Sequence, residues 1–159
     1  MDKVITSRIE GSDFMNTTIR RCMISDAHAI YELCREELGY DFSEEQVVQN
    51  VRRLIGSPEN LLMVAVDSED KVLGFIHANN HDPIYAPPMK DIVAIAVNPE
   101  FRHHGLGRRL ILAVEGWARE TGAKGVRANS DIRQKNALAF YKSMGYEYIR
   151  SIYNVRKMF

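Results

Sequence analysis

Several kinds of chemistry are ruled out by what this chain has little of. Its 159 residues hold only two cysteines, Cys22 and Cys34. They form no Cys-x-x-Cys pair, and no Cys/His spacing fits a zinc site, so no metal is expected. Both lie in apolar-periodic segments, which predicts core thiols in a reducing compartment. Net charge is also absent, since 21 Lys and Arg balance 21 Asp and Glu. That argues against broad nucleic-acid binding, and no such partner is expected. No apolar run approaches the ~18 residues of a membrane span. Residues 1–14 are too polar for a secretory signal, so a cytoplasmic location without a membrane partner is expected. Repeats, low-complexity blocks and internal linkers are missing from residues 16–159. One domain is expected over residues 15–159, with 1–14 as a flexible lead and Met15 as an alternative start. The 45% hydrophobic content suits a single globular core.

What is present alternates between strand and helix patterns. Residues 17–23 read as a strand. Ser25 or Asp26 caps a helix with Ile30, Leu33, Cys34 and Leu38 on one side, ended by Gly39. Ser43 with Gln46 is a capping box opening a second helix, with Val47, Val51, Leu54 and Ile55 on one face. Residues 61–66 and 72–78 form a hairpin about the turn at 67–70. The three prolines within 82–88 make a loop. A strand, a long helix to Gly122, a strand at 125–129 and a helix at 135–144 follow. Residues 146–158 read as a last strand or hairpin. The order β-α-α-β-β-β-α-β-α-β is an α/β (α+β) chain with a mixed sheet, neither doubly wound nor a barrel.

The most informative stretch is Val93–Leu110, VAIAVNPEFRHHGLGRRL. A strand ends at Asn98-Pro99, and Gly105-Leu106-Gly107 opens a helix carrying Leu106, Leu110, Val114 and Trp117. Free N–H groups in a first helical turn attract anions, and glycines let a phosphate approach the backbone. A P-loop would need Lys-Ser/Thr where Arg108-Arg109 stand. A dinucleotide fingerprint would need glycine where Leu110 stands. What remains is Arg-x-x-Gly-x-Gly, at Arg102, Gly105 and Gly107. A second motif is Asn136-Ala-Leu-Ala-Phe-Tyr-Lys-Ser-Met-Gly-Tyr146, in which Tyr141 by itself is an ordinary core aromatic. His103 and His104 diverge by about 100° on a helix start and cannot readily share a metal ion. His77 is either a core-edge histidine or a substrate-cleft residue.

Both motifs and the element order resemble the GNAT superfamily of N-acetyltransferases, over about residues 16–159. Asn129-Ser-Asp-Ile-Arg133 and Gly39-Tyr40 are similar to a subgroup related to aminoglycoside 6′-N-acetyltransferases. The resemblance implies acetyl-CoA as cosubstrate and a primary amine of a small molecule as acceptor, attacked directly in a ternary complex. Its alternatives are a protein lysine or N-terminal acetyltransferase, and a non-catalytic acyl-CoA-binding module. It implies that the backbone of Ile95, Ala96 and Val97 holds the pantetheine arm. The Arg102 motif and the N–H groups of His103, His104, Gly105, Leu106, Gly107 and Arg108 would hold the pyrophosphate. Tyr141 would contact the cofactor sulfur and protonate the leaving thiolate, and Asp91, at the strand entry, would be the base. Many relatives carry an asparagine where this chain has Gln134, a departure from the pattern; the subgroup does not fix that contact, and Asn136 is kept as a candidate cofactor contact. Asp82, Asp91, Asp131 and Tyr85 are candidates to line the acceptor cleft. The resemblance also leaves room for a homodimer.

Overall fold

Caps and turns set most element boundaries. The computed structural model describes residues 5–6 and 16–159. In chain order the elements are β1 (Ile5–Thr6), β2 (Thr18–Arg21), α1 (Ala27–Glu37), α2 (Glu44–Ile55), β3 (Asn60–Val66), β4 (Val72–His81), β5 (Met89–Val97), α3 (Leu106–Glu120), β6 (Val126–Ala128) and α4 (Lys135–Ser143). Ser43 caps α2 as the sequence predicts: its side chain accepts from the Gln46 N–H, and the Gln46 side chain accepts from the Ser43 N–H. In the β3–β4 turn, Asp67 Oδ1 accepts from the N–H groups of Glu69 and Lys71. The expected flexible lead lies outside the described residues apart from Ile5–Thr6, which pair with Ile19 and Thr18.

The chain divides into two compact units, the first ending at Ala128 and the second running Asn129–Phe159. In the first unit a sheet of order β1-β2-β3-β4-β5-β6 is antiparallel up to β5 and parallel between β5 and β6. Residues two apart on a strand share a face. Leu62, Val64 and Val66 pack with Ile30 and Leu33 of α1 and Val51 of α2 in one buried cluster. α3 packs against β3, β4 and β5, burying Leu106, Leu110, Ile111 and Val114. Cys22 is buried, Cys34 half-buried, and both are free thiols, as expected. Burial pushes the Cys22 thiol up to about 12. Buried Asp26 anchors the start of α1 by accepting two bonds from Arg20, 2.7 and 2.9 Å.

The second unit departs from expectation. α4 forms and ends at Gly145, whose φ is +88°. The last strand or hairpin predicted over 146–158 does not form. Its Tyr, Ile and Val residues favour extended backbone, but a strand also needs a neighbour to take its N–H and C=O groups. Tyr148, Ile149, Ile152, Tyr153 and Val155 are exposed, so the segment has neither a ladder nor a buried face.

Candidate active site

Asn98 and Pro99 turn the chain out of β5. Asn98 Oδ1 accepts from the Glu100 N–H at 3.0 Å, and the Phe101 N–H donates to the Asn98 carbonyl at 2.9 Å. The backbone then enters left-handed conformations at His103, φ +64°, and Gly105, φ +80°. Gly105 is the N-cap of α3 and offers no side-chain cap. A Cβ at Gly105 would meet nothing within 4 Å, so space is open beside the helix start. The early N–H groups of α3 have no carbonyl one turn back to bond to. Such a helix start can receive an anion on its backbone, and Gly105 and Gly107 put no side chain in the way.

The Arg102 side chain is held by contacts within the protein. Its guanidinium pairs with Glu37 at the end of α1, and Nε donates to the Val97 carbonyl at 3.2 Å. Its N–H donates to the Pro99 carbonyl at 3.3 Å. Arg102 therefore fastens the loop to α1 and β5. Arg109 likewise turns away, donating to Thr17 Oγ1 at 2.5 Å and to the Thr17 carbonyl at 2.9 Å. The side chains of His103 and Arg108 are exposed, and that of His104 is half-buried.

β5 is built to leave one edge open. It pairs with β6 only at Lys90, Asp91 and Ile92. Beyond Ile92 no strand among the described residues takes the β6-side edge, which runs through Ile95, Ala96 and Val97. On the β4 side, His77 lies opposite Ala94 and Ala78 opposite Ile92, so Val93 is a bulge. Bulges gather at active sites because they bend a strand and re-aim its groups. Near the loop β4 and β5 run close, since a Cβ at Gly74 would lie 2.8 Å from the Ala96 carbonyl oxygen. Only glycine fits there.

Asp91 is half-buried between β4 and β6. Arg127 Nε lies 3.2 Å from Asp91 Oδ1, and Arg127 Nη1 donates to His81 Nε2 at 2.9 Å. Burial raises the Asp91 pKa above the ordinary carboxylate range, opposed by the charge of Arg127 and by His81. Arg127 carries no signal in the sequence, because its meeting with His81 and Asp91 depends on the β4–β5–β6 register. His77 points its Nε2 at Asn60 Oδ1, 2.9 Å away, and its pKa is lowered by burial and by Arg53.

Within the second unit, Tyr141 packs its ring against Phe140 and Tyr146, with centroids 5.7 and 5.4 Å apart. The Tyr146 N–H donates to the Tyr141 carbonyl at 3.1 Å, closing the turn at Gly145. Asn136 is exposed on the first turn of α4. Asp131, an expected cleft carboxylate, pairs with Arg133, which holds it down at about 2.

An open strand edge beside an uncapped helix start, on a mixed sheet flanked by helices, can hold an extended ligand that carries an anion. The chain belongs to the GNAT acetyltransferase family, whose model matches residues 27–146. It is an acetyltransferase. It is 24% identical over 134 residues to an aminoglycoside N(6′)-acetyltransferase type 1 of Stenotrophomonas maltophilia, across 82% of this chain and 86% of that protein. It is 32% identical over 130 residues to a mycothiol acetyltransferase of Thermobifida fusca (strain YX), across 80% of this chain but 38% of that longer protein. Its fold is similar to that of an aminoglycoside N-acetyltransferase, AAC(6′)-Iy, solved in complex with CoA. The TM-score is 0.81 at 17% identity, covering 94% of this chain and 99% of that one. Among the described residues, no helix is long and apolar enough to cross a membrane.

Proposed function

We propose that this chain moves the acetyl group of acetyl-CoA onto a primary amine of a small molecule, by direct attack without a covalent enzyme intermediate. The open β5 edge beside the uncapped start of α3 carries the reading, because a pantetheine arm and its pyrophosphate need those two features in that order. Acetyl-CoA, when bound, supplies a thioester as acyl donor. The edge at Ile95–Val97 pairs with the amide-bearing arm, and an N–H there polarises the thioester carbonyl. N–H groups from His103 to Arg108 hold the pyrophosphate, while Arg102 positions the loop.

An alkylammonium, with a pKa near ~10, must lose a proton before it can attack. Asp91 accepts that proton, directly or through one water, and its raised pKa makes it a better base than an exposed aspartate. The nitrogen lone pair forms the new N–C bond, the C–S bond breaks, and the Tyr141 phenol protonates the departing thiolate. Arg127 and His81 orient the Asp91 carboxylate. Residues 15–159 serve as one catalytic domain. The reading is tested by isothermal titration with coenzyme A, followed by product detection with acetyl-CoA and a panel of primary amines. Micromolar binding with amine-dependent release of thiol is expected. Binding without any acetylated amine would reduce the chain to an acyl-CoA-binding module.

A further inference from the structure

A cavity of about 210 Å³ lies between α1, α2 and the β3–β5 face of the sheet. Ile30, Leu38, Val47, Leu54 and Phe75 form its apolar wall. Tyr40 and Phe42, from the α1–α2 connection, also line it and are 56% and 55% exposed. Two half-open aromatics over an apolar hollow form a surface that favours a ligand over water. Among the described residues, no Asp, Glu, Lys or Arg side chain lines it. Burial, and next to it the charge of Arg53, lower the pKa of the His77 that lines it. A polycation would shed its hydration against the apolar wall, where one carboxylate at the reacting end, Asp91, cannot match several charges.

The cavity reaches the chemistry through its floor. His77 and Ala94 both line it, and they are opposite one another where β5 bulges. Asn60 Nδ2 donates to Ser57 Oγ at 3.0 Å, so Asn60 Oδ1 faces His77 and accepts from its Nε2–H. His77 Nδ1 then keeps its lone pair, able to accept from a ligand N–H. Asn50 adds a second neutral polar group.

We propose that this cavity is the acceptor subsite and that it selects a single-amine substrate with an apolar or aromatic body, not a polyamine or an aminosugar. The proposal rests on the acetyltransferase reading above. Its test compares kcat/KM for phenylethylamine, ethylamine and spermine with acetyl-CoA at saturation. Phenylethylamine should exceed ethylamine by about 30- to 100-fold, the worth of burying a phenyl group, with spermine no better than ethylamine. Cys34→Trp fills the cavity from α1 and should collapse the phenylethylamine preference to within about 3-fold, through KM rather than kcat. Coenzyme-A titration confirms that the variant is folded. If it is not, Cys34→Met fills less space and should lower the preference part of the way. Spermine acetylated in preference to phenylethylamine, or an undiminished preference in folded Cys34→Trp, overturns the cavity proposal alone. Acetylation of no amine by a chain that binds coenzyme A overturns it together with the amine-transfer reading.

Discussion

The loop from Asn98 to Arg108 and the cavity under α1 and α2 differ in what they are made of. The loop is backbone: consecutive N–H groups, a proline turn and two glycines within eleven residues. The cavity is side chain, assembled from three strands and two helices and reaching from Ile30 to Ala94. A backbone cradle suits one invariant anion. A side-chain cavity suits a ligand that varies between enzymes, because each wall residue can change without breaking the chain's path. On the proposed reading grip and selection are separated, and each is open to its own perturbation.

The largest break in that separation comes at Gly105. Gly105→Glu places a Cβ at φ +80° and an anion beside the pyrophosphate cradle. Coenzyme-A binding should become undetectable by titration while circular dichroism stays that of the parent. Tyr141→Phe should spare the grip. Loss of one acid commonly lowers turnover ~10²–10⁴-fold, and coenzyme-A affinity should change little by comparison. Turnover equal to the parent's would assign the acid role to water.

Asp91→Asn comes next, with turnover at pH 7 falling to the lower part of the same range, about 10²-fold. The pH profile carries the sign. Burial raises the Asp91 pKa, so the ionised base is present only above that raised value. The acid limb of kcat/KM should therefore lie above the ordinary aspartate pKa near ~3.9. In Asp91→Asn that limb should vanish, and activity should recover partly at high pH, where more acceptor is already neutral. A rise in acceptor KM at unchanged kcat would make Asp91 a cation-binding residue instead. The smallest effect is expected at Ser43. Ser43→Ala removes the cap of α2, one wall of the cavity, and should cost about 1 kcal/mol in urea unfolding. Acceptor KM should rise while coenzyme-A affinity holds.

The same contrast explains what was legible in the sequence. The capping box at Ser43 and Gln46, the hairpin at 67–70 and the Gly105 loop are short-range, with partners a few residues apart. Arg102 stood out in its motif, but its partner Glu37 is 65 residues away along the chain, and a motif does not carry that information. Residues 146–158 have the composition of a strand without a neighbour to pair with. Two of the carboxylates weighed for the acceptor site, Asp82 and Asp91, are not among the residues that line the cavity under α1 and α2. Cys34, which does, reads in sequence as a core thiol, and Phe42 and Phe75 carry no motif that marks them.

One extra residue has an effect that no substitution can imitate. Cross-strand partners lean to the same side of a sheet, and β4 keeps a regular alternation, so Asn79, His77 and Phe75 all look one way. Their partners on β5 are Asp91, Ala94 and Ala96. Asp91 and Ala94 have opposite parity, and in an unbroken strand they would sit on opposite sides. Val93 slips the phase by one and brings the carboxylate round to the cavity's side. Loss of that one codon would leave every other residue in place in the list and turn half of the strand inside out. In this fold the count of residues, as much as their identity, decides which groups can meet a substrate.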